Sequence, residues 1–220
     1  MATILITGAN RGIGLELARQ LKERGDTVIA ACRKSSLELD ALGVRVEAGI
    51  EVSDAASVAD LAQRVKDLSL DILINNAGIL RVEGIASMNF TSITQQLEVN
   101  ALGPLRVTTA LLPLLHEGSK VVIITSRMGS IADNGSGGFY GYRMSKAAVN
   151  AAGVSLARDL KDRGIAVGLF HPGMVATEMT GRSGIPAAES VRGIIQRIDA
   201  LKLEASGRFT HAATGEELPW

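Results

Sequence analysis

Cysteine is almost absent from this sequence of 220 residues, and aromatic residues are scarce. Cys32 is the only cysteine, which excludes an internal disulfide and a zinc site built from thiolates. The three histidines, His116, His171 and His211, have no metal-ligand spacing, so we expect no metal site. Aromatic residues make up 3% of the chain, whereas its 24 glycines exceed the usual share. This composition is typical of a fold in which tight backbone turns pack against small side chains.

The sequence also lacks an excess of charge of either sign and any long apolar segment. Its 23 basic and 23 acidic residues give a formal net charge of zero, so no basic excess is present to hold nucleic acid. No apolar run approaches the length of about 18 residues that a membrane span needs. The N-terminus lacks the pattern of a signal peptide. We therefore expect a cytoplasmic protein with no nucleic-acid partner and no membrane partner.

Short, continuously apolar segments alternate with longer segments of helical periodicity. Strands are predicted at 4–7, 27–32, 44–48, 72–75, 121–126 and 165–171, with an edge strand near 207–209. Helices are predicted over 11–24, after a cap at Ser53, and over about 91–116, 142–161 and 188–201. Gly103, Pro104 and Pro113 are expected to bend or interrupt the segment over 91–116. Continuously apolar strands are typical of a parallel sheet buried on both faces. The alternation predicts a doubly wound (Rossmann) α/β sheet with helices on both faces, as a single domain over residues 1–220.

A cluster of glycines follows the first predicted strand. Gly8, Gly12 and Gly14 stand in the run Thr-Gly-Ala-Asn-Arg-Gly-Ile-Gly, directly before a predicted helix. Such a turn lets the backbone approach a pyrophosphate, whose charge is stabilised by free N–H groups at the helix start. Turns also need glycine for their own reasons, and the spacing differs from the commoner G-x-G-x-x-G. The position between a buried strand and an amphipathic helix favours dinucleotide binding.

Further motifs follow the later strands in a fixed order. They are Asn75-Asn76-Ala77-Gly78 after the fourth strand, Ser126 at the end of the fifth, the pair Tyr142 and Lys146, and Pro172-Gly173 after the sixth. In this order the motifs resemble the short-chain dehydrogenase/reductase family over nearly the whole chain. The small sniffer-type and C-signal-type carbonyl reductases are the most similar members, because they share the run Ser-Gly-Gly-x-Tyr-x-Tyr-Arg found at residues 136–143.

The resemblance implies the catalytic residues Asn100, Ser126, Tyr142 and Lys146. With the glycine cluster, it also implies a cofactor site. The implied cofactor-binding residues are Gly8, Asn10, Arg11, Gly12, Ile13, Gly14, Arg33, Glu51, Val52, Asn76, Ala77, Gly78, Tyr142, Lys146, Pro172, Gly173, Val175 and Thr177. Glu51-Val52 stands where the family usually has an Asp-Val pair, at the implied contact with the adenine. The implied activity is hydride transfer from NADPH to an aldehyde or ketone.

The chemistry explains why these residue types are needed. Carbonyl reduction requires a hydride on carbon, which the cofactor carries, and a proton on oxygen. Tyr142 is the expected general acid, and Lys146, one helical turn away on the same face, is expected to lower the phenol's pKa from its usual value near 10. Ser126 is expected to hydrogen-bond the substrate oxygen. By resemblance, Asn100 holds a water that relays protons to Lys146.

Other interpretations of the same residues remain open at this point. Taken alone, Ser126 fits a strand end, Asn100 a polar residue bonded to backbone, and Lys146 a solvated lysine. A different function is a signalling or regulatory protein that binds NADP(H) with little turnover. The small residues at 147–148 and 151–152 suit either close helix packing or a subunit interface, so a homodimer, a homotetramer and a monomer all stay open.

The end of the second strand predicts which cofactor is preferred. Folds that prefer NAD place an acidic residue there to bond the ribose hydroxyl. Cys32 stands at that position and Arg33 follows it. Arg33 offers a bidentate grip on a phosphate, and Arg11 is expected to approach the same phosphate from the glycine turn. The sequence therefore predicts a preference for NADP(H).

Overall fold

Seven parallel strands form one sheet in the computed structural model, which describes residues 1–220. The strands are β1 (Thr3–Thr7), β2 (Thr27–Cys32), β3 (Arg45–Ala48), β4 (Leu70–Asn75), β5 (Leu115–Ile124), β6 (Ala166–His171) and β7 (Phe209–His211). Their order is β3-β2-β1-β4-β5-β6-β7, and each neighbouring pair is parallel. The predicted doubly wound parallel sheet is confirmed.

Seven α-helices cover the two faces of this sheet. They are α1 (Gly12–Glu23), α2 (Leu37–Asp40), α3 (Ala55–Arg64), α4 (Phe90–Leu97), α5 (Gly103–Leu111), α6 (Tyr140–Asp159) and α7 (Ala187–Ala200). Successive strand residues point to opposite faces, so Ile4 and Ile6 pack with α1 and α7, while Leu5 packs with α3, α5 and α6. The two resulting apolar layers hold the sheet between them. No helix combines the length and the apolar character that a membrane crossing requires.

Several predicted element boundaries are wrong in detail. The segment over 91–116 is interrupted near Gly103-Pro104 and at Pro113, as expected, but the first interruption is a π-helical turn, Glu98–Leu102, that begins five residues before Gly103. Strand β5 begins at Leu115, six residues earlier than expected. Asp54 caps α3 instead of Ser53, because its carboxylate accepts the N–H groups of Ala56 and Ser57. The expected C-terminal edge strand is present as β7, beside β6.

The strand order places the functional motifs together. The chain builds β2 and β3 on one side of β1, and β4 to β7 on the other. The carboxyl ends of β1 and β4 therefore lie side by side where the order reverses, the usual ligand position in doubly wound sheets. The glycine turn follows β1 at this edge, and Asn76 follows β4. The loops after β5 and β6, which carry Ser126 and Thr177, open on the same edge.

Candidate active site

The glycine turn after β1 packs closely against the turn after β4. Gly8 has φ of +67°, a region that favours glycine, and a Cβ there would lie 2.8 Å from the Cα of Ala77. A Cβ on Gly14 would overlap the carbonyl oxygen of Gly8 and the side-chain amide of Asn76. Both glycines are therefore required by the approach of one turn to the other.

Hydrogen bonds from Thr7 and Asn76 fix these two turns to each other. The Thr7 hydroxyl accepts the N–H groups of Asn76 and Ala77, each at 3.1 Å. The Asn76 side-chain amide donates to the carbonyl oxygens of Thr7 and Gly8 at 3.0 and 3.1 Å. The predicted cofactor residues Asn76, Ala77 and Gly78 thus lie directly beside the glycine turn.

The start of α1 suits an anionic ligand. The N–H groups of Gly12, Ile13 and Gly14 donate to no backbone or side-chain acceptor. The residue before the helix, Arg11, supplies no side-chain cap, and the first turn has no acidic residue. Free N–H groups and the helix dipole together favour negative charge at this point. The residues present therefore fit the pyrophosphate of a dinucleotide.

The loop between β6 and α7 lies opposite the glycine turn. A Cβ on Gly12 would lie 3.3 Å from Cγ2 of Thr177, so these two residues are in close approach. Val175, in the same loop, is buried and bridges to Ile185. The buried Pro172 accepts the hydroxyl of Ser190 on α7 at 2.7 Å. The structure thus places the predicted residues 172–177 across the edge from the residues that follow β1.

Ser126, Tyr142 and Lys146 come together between β5 and α6. Ser126 lies two residues beyond the end of β5, not in the strand as predicted, and its hydroxyl accepts the Met128 N–H at 3.1 Å. The Ser126 side chain also acts on the phenol of Tyr142, whose pKa it lowers. Tyr142 and Lys146 occupy successive turns of α6, and all three side chains are buried. The structure thus brings together three of the residues that the sequence predicts as catalytic, and their roles stay a prediction.

The pKa values of the pair differ from the expectation. Burial raises the pKa of Tyr142 above its usual value, and the neighbouring Ser126 side chain only partly opposes that effect. Burial also lowers the pKa of Lys146 to about 8. The Lys146 ammonium donates to the carbonyl oxygen of Ile124 at 2.9 Å and lies 5.8 Å from the centroid of the Tyr142 ring. The expected lowering of the phenol's pKa is therefore wrong for the protein itself, because desolvation dominates.

Asn100 lies in the π-helical turn after α4 and binds backbone. Its side-chain oxygen accepts the Ile79 N–H, and its amide donates to the Ile79 carbonyl, both at 2.8 Å. The same amide donates to Ser145 at 3.0 Å, and Ser145 in turn donates to the Tyr142 carbonyl at 2.8 Å. Asn100 therefore ties the turn after β4 to helix α6. This contact matches the structural alternative named above for Asn100.

The two arginines of the predicted phosphate site each have a carboxylate partner. Arg33 lies 3.5 Å from Glu51, and Arg11 is paired with Glu178. Both guanidinium groups are more than half exposed, so these ion pairs are weak. Cys32 is buried at the end of β2, as predicted. Sequence reasoning missed Glu178 because it lies 167 residues from Arg11 along the chain.

The remaining predicted cofactor-binding residues near β2 and β3 are Asn10, Glu51 and Val52. The Asn10 carbonyl accepts the hydroxyl of Ser36 at 2.8 Å, which ties the loop after β2 to the glycine turn. The backbone N–H of Glu51 donates to Ser57, and Val52 is buried in the core. The loop after β3 is held beside the end of β2 by the N–H groups of Gly49 and Ile50, which donate to the carbonyl oxygens of Arg33 and Cys32 at 3.0 Å.

Comparison with known proteins agrees with this geometry. The family model for the short chain dehydrogenases matches residues 2–186. The 1-hydroxy-2-glutathionyl-2-methyl-3-butene dehydrogenase of Rhodococcus sp. (strain AD45) is 44% identical over 227 residues, which cover 100% of both chains. The C-signal protein of Myxococcus xanthus is 46% identical over 155 residues, covering 69% of this chain and 93% of that protein.

Two solved structures have the same fold over the whole chain. The NADPH-bound carbonyl reductase from chicken fatty liver superposes with a TM-score of 0.91 and 29% identity, covering 100% of this chain and 99% of that chain. The carbonyl reductase Sniffer of D. melanogaster superposes with a TM-score of 0.92 and 30% identity, covering 100% of both. The predicted resemblance to sniffer-type and C-signal-type proteins is thereby confirmed.

Proposed function

This chain belongs to the short-chain dehydrogenase family of oxidoreductases, and we propose that it is an NADPH-dependent reductase of aldehydes or ketones. The observation that carries the proposal is the buried group of Ser126, Tyr142 and Lys146 at the carboxyl edge of the sheet. The similarity to the carbonyl reductases of chicken and fly supports the same reaction class.

The cofactor would lie across the reversal of strand order. The free N–H groups of Gly12, Ile13 and Gly14 would hold its pyrophosphate, and Arg33 and Arg11 would face its 2′-phosphate. The turn after β4, at Asn76, Ala77 and Gly78, and the loop of Thr177 would line the rest of the site. When bound, the reduced nicotinamide would supply the hydride.

Tyr142 is the proton donor in this proposal. Because burial raises its pKa, the phenol is protonated at neutral pH, the form that a general acid needs. The O–H bond of Tyr142 breaks as its proton passes to the carbonyl oxygen of the substrate. The Ser126 hydroxyl would hydrogen-bond that oxygen as negative charge develops on it. Lys146, which is mostly an ammonium at pH 7, would favour the tyrosinate that remains.

The same groups would run the reverse reaction, since Tyr142 as tyrosinate is the base for oxidation of an alcohol. The Rhodococcus relative is named for an alcohol substrate of that kind, a glutathione conjugate. Exposed methionines, Met174 and Met179, flank Thr177 in the loop between β6 and α7. We infer an open pocket with an apolar rim that accepts more than one carbonyl compound.

The test is NADPH consumption by purified protein across a panel of aldehydes, ketones and quinones. Tyr142→Phe should lower kcat by roughly 10²–10⁴-fold, the usual worth of a general acid. Tyr140→Phe is the matched control, because Tyr140 lies two residues away and is partly exposed; its activity should stay near that of the wild type. A protein that consumes no NADPH with any of these substrates would contradict the proposal.

A second candidate function is a signalling or regulatory role with little turnover, supported by the similarity to C-signal. The two functions differ in what they require of Tyr142. A signalling protein should keep its biological effect in the Tyr142→Phe variant, provided that NADPH binding is retained. An enzyme should lose its effect in that variant and keep it in Tyr140→Phe.

A further inference from the structure

A buried carboxylate, Glu83, lies next to the catalytic helix but outside the group of catalytic side chains. Its residue is 1% exposed. One oxygen accepts the hydroxyl of Ser92 at 2.6 Å and the side-chain amide of Gln96 at 2.7 Å. The other oxygen accepts the backbone N–H of Gly141 at 3.1 Å. No lysine or arginine pairs with it, so neutral donors alone compensate its burial.

Helix α6 lacks a cap of its own. The residue before it, Phe139, has φ of +52°, an uncommon conformation for a residue other than glycine. Phe139 supplies no side-chain cap, and the first turn of α6 has no acidic residue. Glu83, which precedes Gly141 by 58 residues, supplies the missing cap and the missing negative charge, because its carboxylate accepts the Gly141 N–H. Its backbone carbonyl also accepts the Phe139 N–H at 2.9 Å. A carboxylate both caps free N–H groups at a helix N-terminus and places a favourable negative charge there.

The same carboxylate fixes α4 against the first turn of α6. A Cβ on Gly141 would overlap the Gln96 amide and lie 3.0 Å from the Cα of Ile93, so the two helices are in direct approach there. The Gln96 oxygen accepts the Arg81 N–H at 2.9 Å. Because its oxygen is used in this way, Gln96 must direct its amide nitrogen to Glu83, and its side-chain amide has only one possible orientation.

We propose that Glu83 is a positioning residue for Tyr142. Glu83 fixes the first turn of α6 by accepting the N–H of Gly141, and Tyr142 is the next residue in the chain. A small shift of this turn moves the phenol away from Ser126 and from the substrate oxygen, and misplacement of about 1 Å can cost roughly 10²-fold in rate. The inference rests on the proposed function, in which Tyr142 donates the proton.

Two substitutions of Glu83 should give a graded loss of turnover. Glu83→Gln keeps an oxygen for the Gly141 N–H but loses the charge and sets two amide groups against each other; kcat should fall by about 3–10-fold. Glu83→Ala removes the cap, and kcat should fall by about 10–100-fold. In both variants KM and the dissociation constant of NADPH should change by less than about threefold. Ser92→Ala is the matched control, because it removes a partner of Glu83 but keeps the bond to Gly141; its kcat should stay near that of the wild type.

The decisive measurement is a double-mutant cycle with Tyr142→Phe. If Glu83 acts through Tyr142, then Glu83→Gln should cost less than about twofold in the Tyr142→Phe background. The inference would be overturned if Glu83→Gln lowered kcat as much in the Tyr142→Phe background as in the wild type, or if Glu83→Gln alone kept the wild-type kcat. Neither outcome depends on whether Glu83→Ala folds. If Tyr142→Phe is itself as active as the wild type, the proposed function fails, and that result is separate from the response to Glu83.

Discussion

The Nζ atom of Lys146 lies 5.8 Å from the centroid of the Tyr142 ring, and burial moves the pKa values of the two groups in opposite directions. The pKa of Lys146 is lowered to about 8, whereas that of Tyr142 is raised. At neutral pH the pair is therefore a protonated phenol beside an ammonium ion. When burial separates the pKa values of two neighbouring groups in this way, their protonation states at neutral pH indicate which group donates a proton. This state suits proton donation to a carbonyl.

The first prediction concerns the pH dependence of the two directions. Reduction should proceed at a steady kcat below about pH 8 and slow as Lys146 loses its proton above that value. Oxidation of an alcohol should accelerate as pH rises, because it needs the tyrosinate form of Tyr142. Lys146→Met should lower turnover strongly and move the alkaline fall of reduction to higher pH. An unchanged pH–rate profile in this variant would show that the pair is not coupled.

The second prediction separates function from stability at Lys146. The folded pKa of about 8 lies below the ordinary value of 10.5, so folding opposes the charged form. The cost in unfolding free energy is fully present below pH 8 and is relieved as pH rises towards 10.5. The hydrogen bond from the Lys146 ammonium to the Ile124 carbonyl offsets part of this cost. Lys146→Met should therefore raise the unfolding free energy at pH 7, by about 1–2 kcal/mol.

Chemical denaturation of the Lys146→Met variant at pH 7 and again near pH 10 checks this prediction. The gain should shrink at the higher pH, because wild-type Lys146 is then neutral. Lys66→Met is the control, since Lys66 is exposed and should show no such gain. An equal gain at both pH values would mean that the change acts through packing and not through charge.

The fold was predictable because its signals are local. Buried strands such as β1 are continuously apolar, and the four-residue spacing of Tyr142 and Lys146 sets both side chains on one face of a helix. The order of motifs along the chain, together with the rule that parallel strands share a carboxyl edge, was enough to bring Ser126 to that pair.

The contacts that tune the site were not predictable, because they join residues far apart in sequence. Nothing in the local pattern around Glu83 shows that it caps a helix 58 residues later, and nothing near Arg11 indicates Glu178. Asn100 was assigned by resemblance, and its bonds to Ile79 depend on a π-helical turn that propensity does not predict. The pKa of Tyr142 depends on burial, which only the packed structure determines.

The third prediction concerns Asn100 as a support for the turn after β4. Asn100→Ala leaves the partly buried N–H and carbonyl of Ile79, and the buried Ser145 hydroxyl, without their side-chain partner. Unsatisfied buried groups cost about 1–3 kcal/mol each, so the unfolding free energy should fall by about 2–4 kcal/mol. Asn89→Ala is the matched control, because Asn89 is an exposed cap of α4 whose loss should cost about 1 kcal/mol. Equal losses from the two variants would contradict this role of Asn100.

The last prediction is the choice of cofactor, which depends on Arg33 and its partner Glu51. A charged hydrogen bond to the 2′-phosphate contributes about 1.5–3 kcal/mol. Arg33→Ala should therefore weaken NADPH binding by about one to two powers of ten and hardly change NADH binding. Glu51 lies 3.5 Å from Arg33 and competes with the phosphate for the guanidinium group. Glu51→Gln should strengthen NADPH binding by a few-fold, because an exposed ion pair of this kind is worth less than about 1 kcal/mol.

Titration of both cofactors into the three proteins at one fixed salt concentration measures these effects, since phosphate contacts are screened by salt. Arg45→Ala is the control, because Arg45 is also an exposed arginine paired with a glutamate, Glu47, but lies at the start of β3, away from the carboxyl edge. It should leave both affinities unchanged. Equal binding of NADH and NADPH by the wild type, or equal weakening of both by Arg33→Ala, would mean that the end of β2 does not select the phosphate. Unchanged NADPH binding in Glu51→Gln would mean that Arg33 reaches the phosphate without leaving its partner.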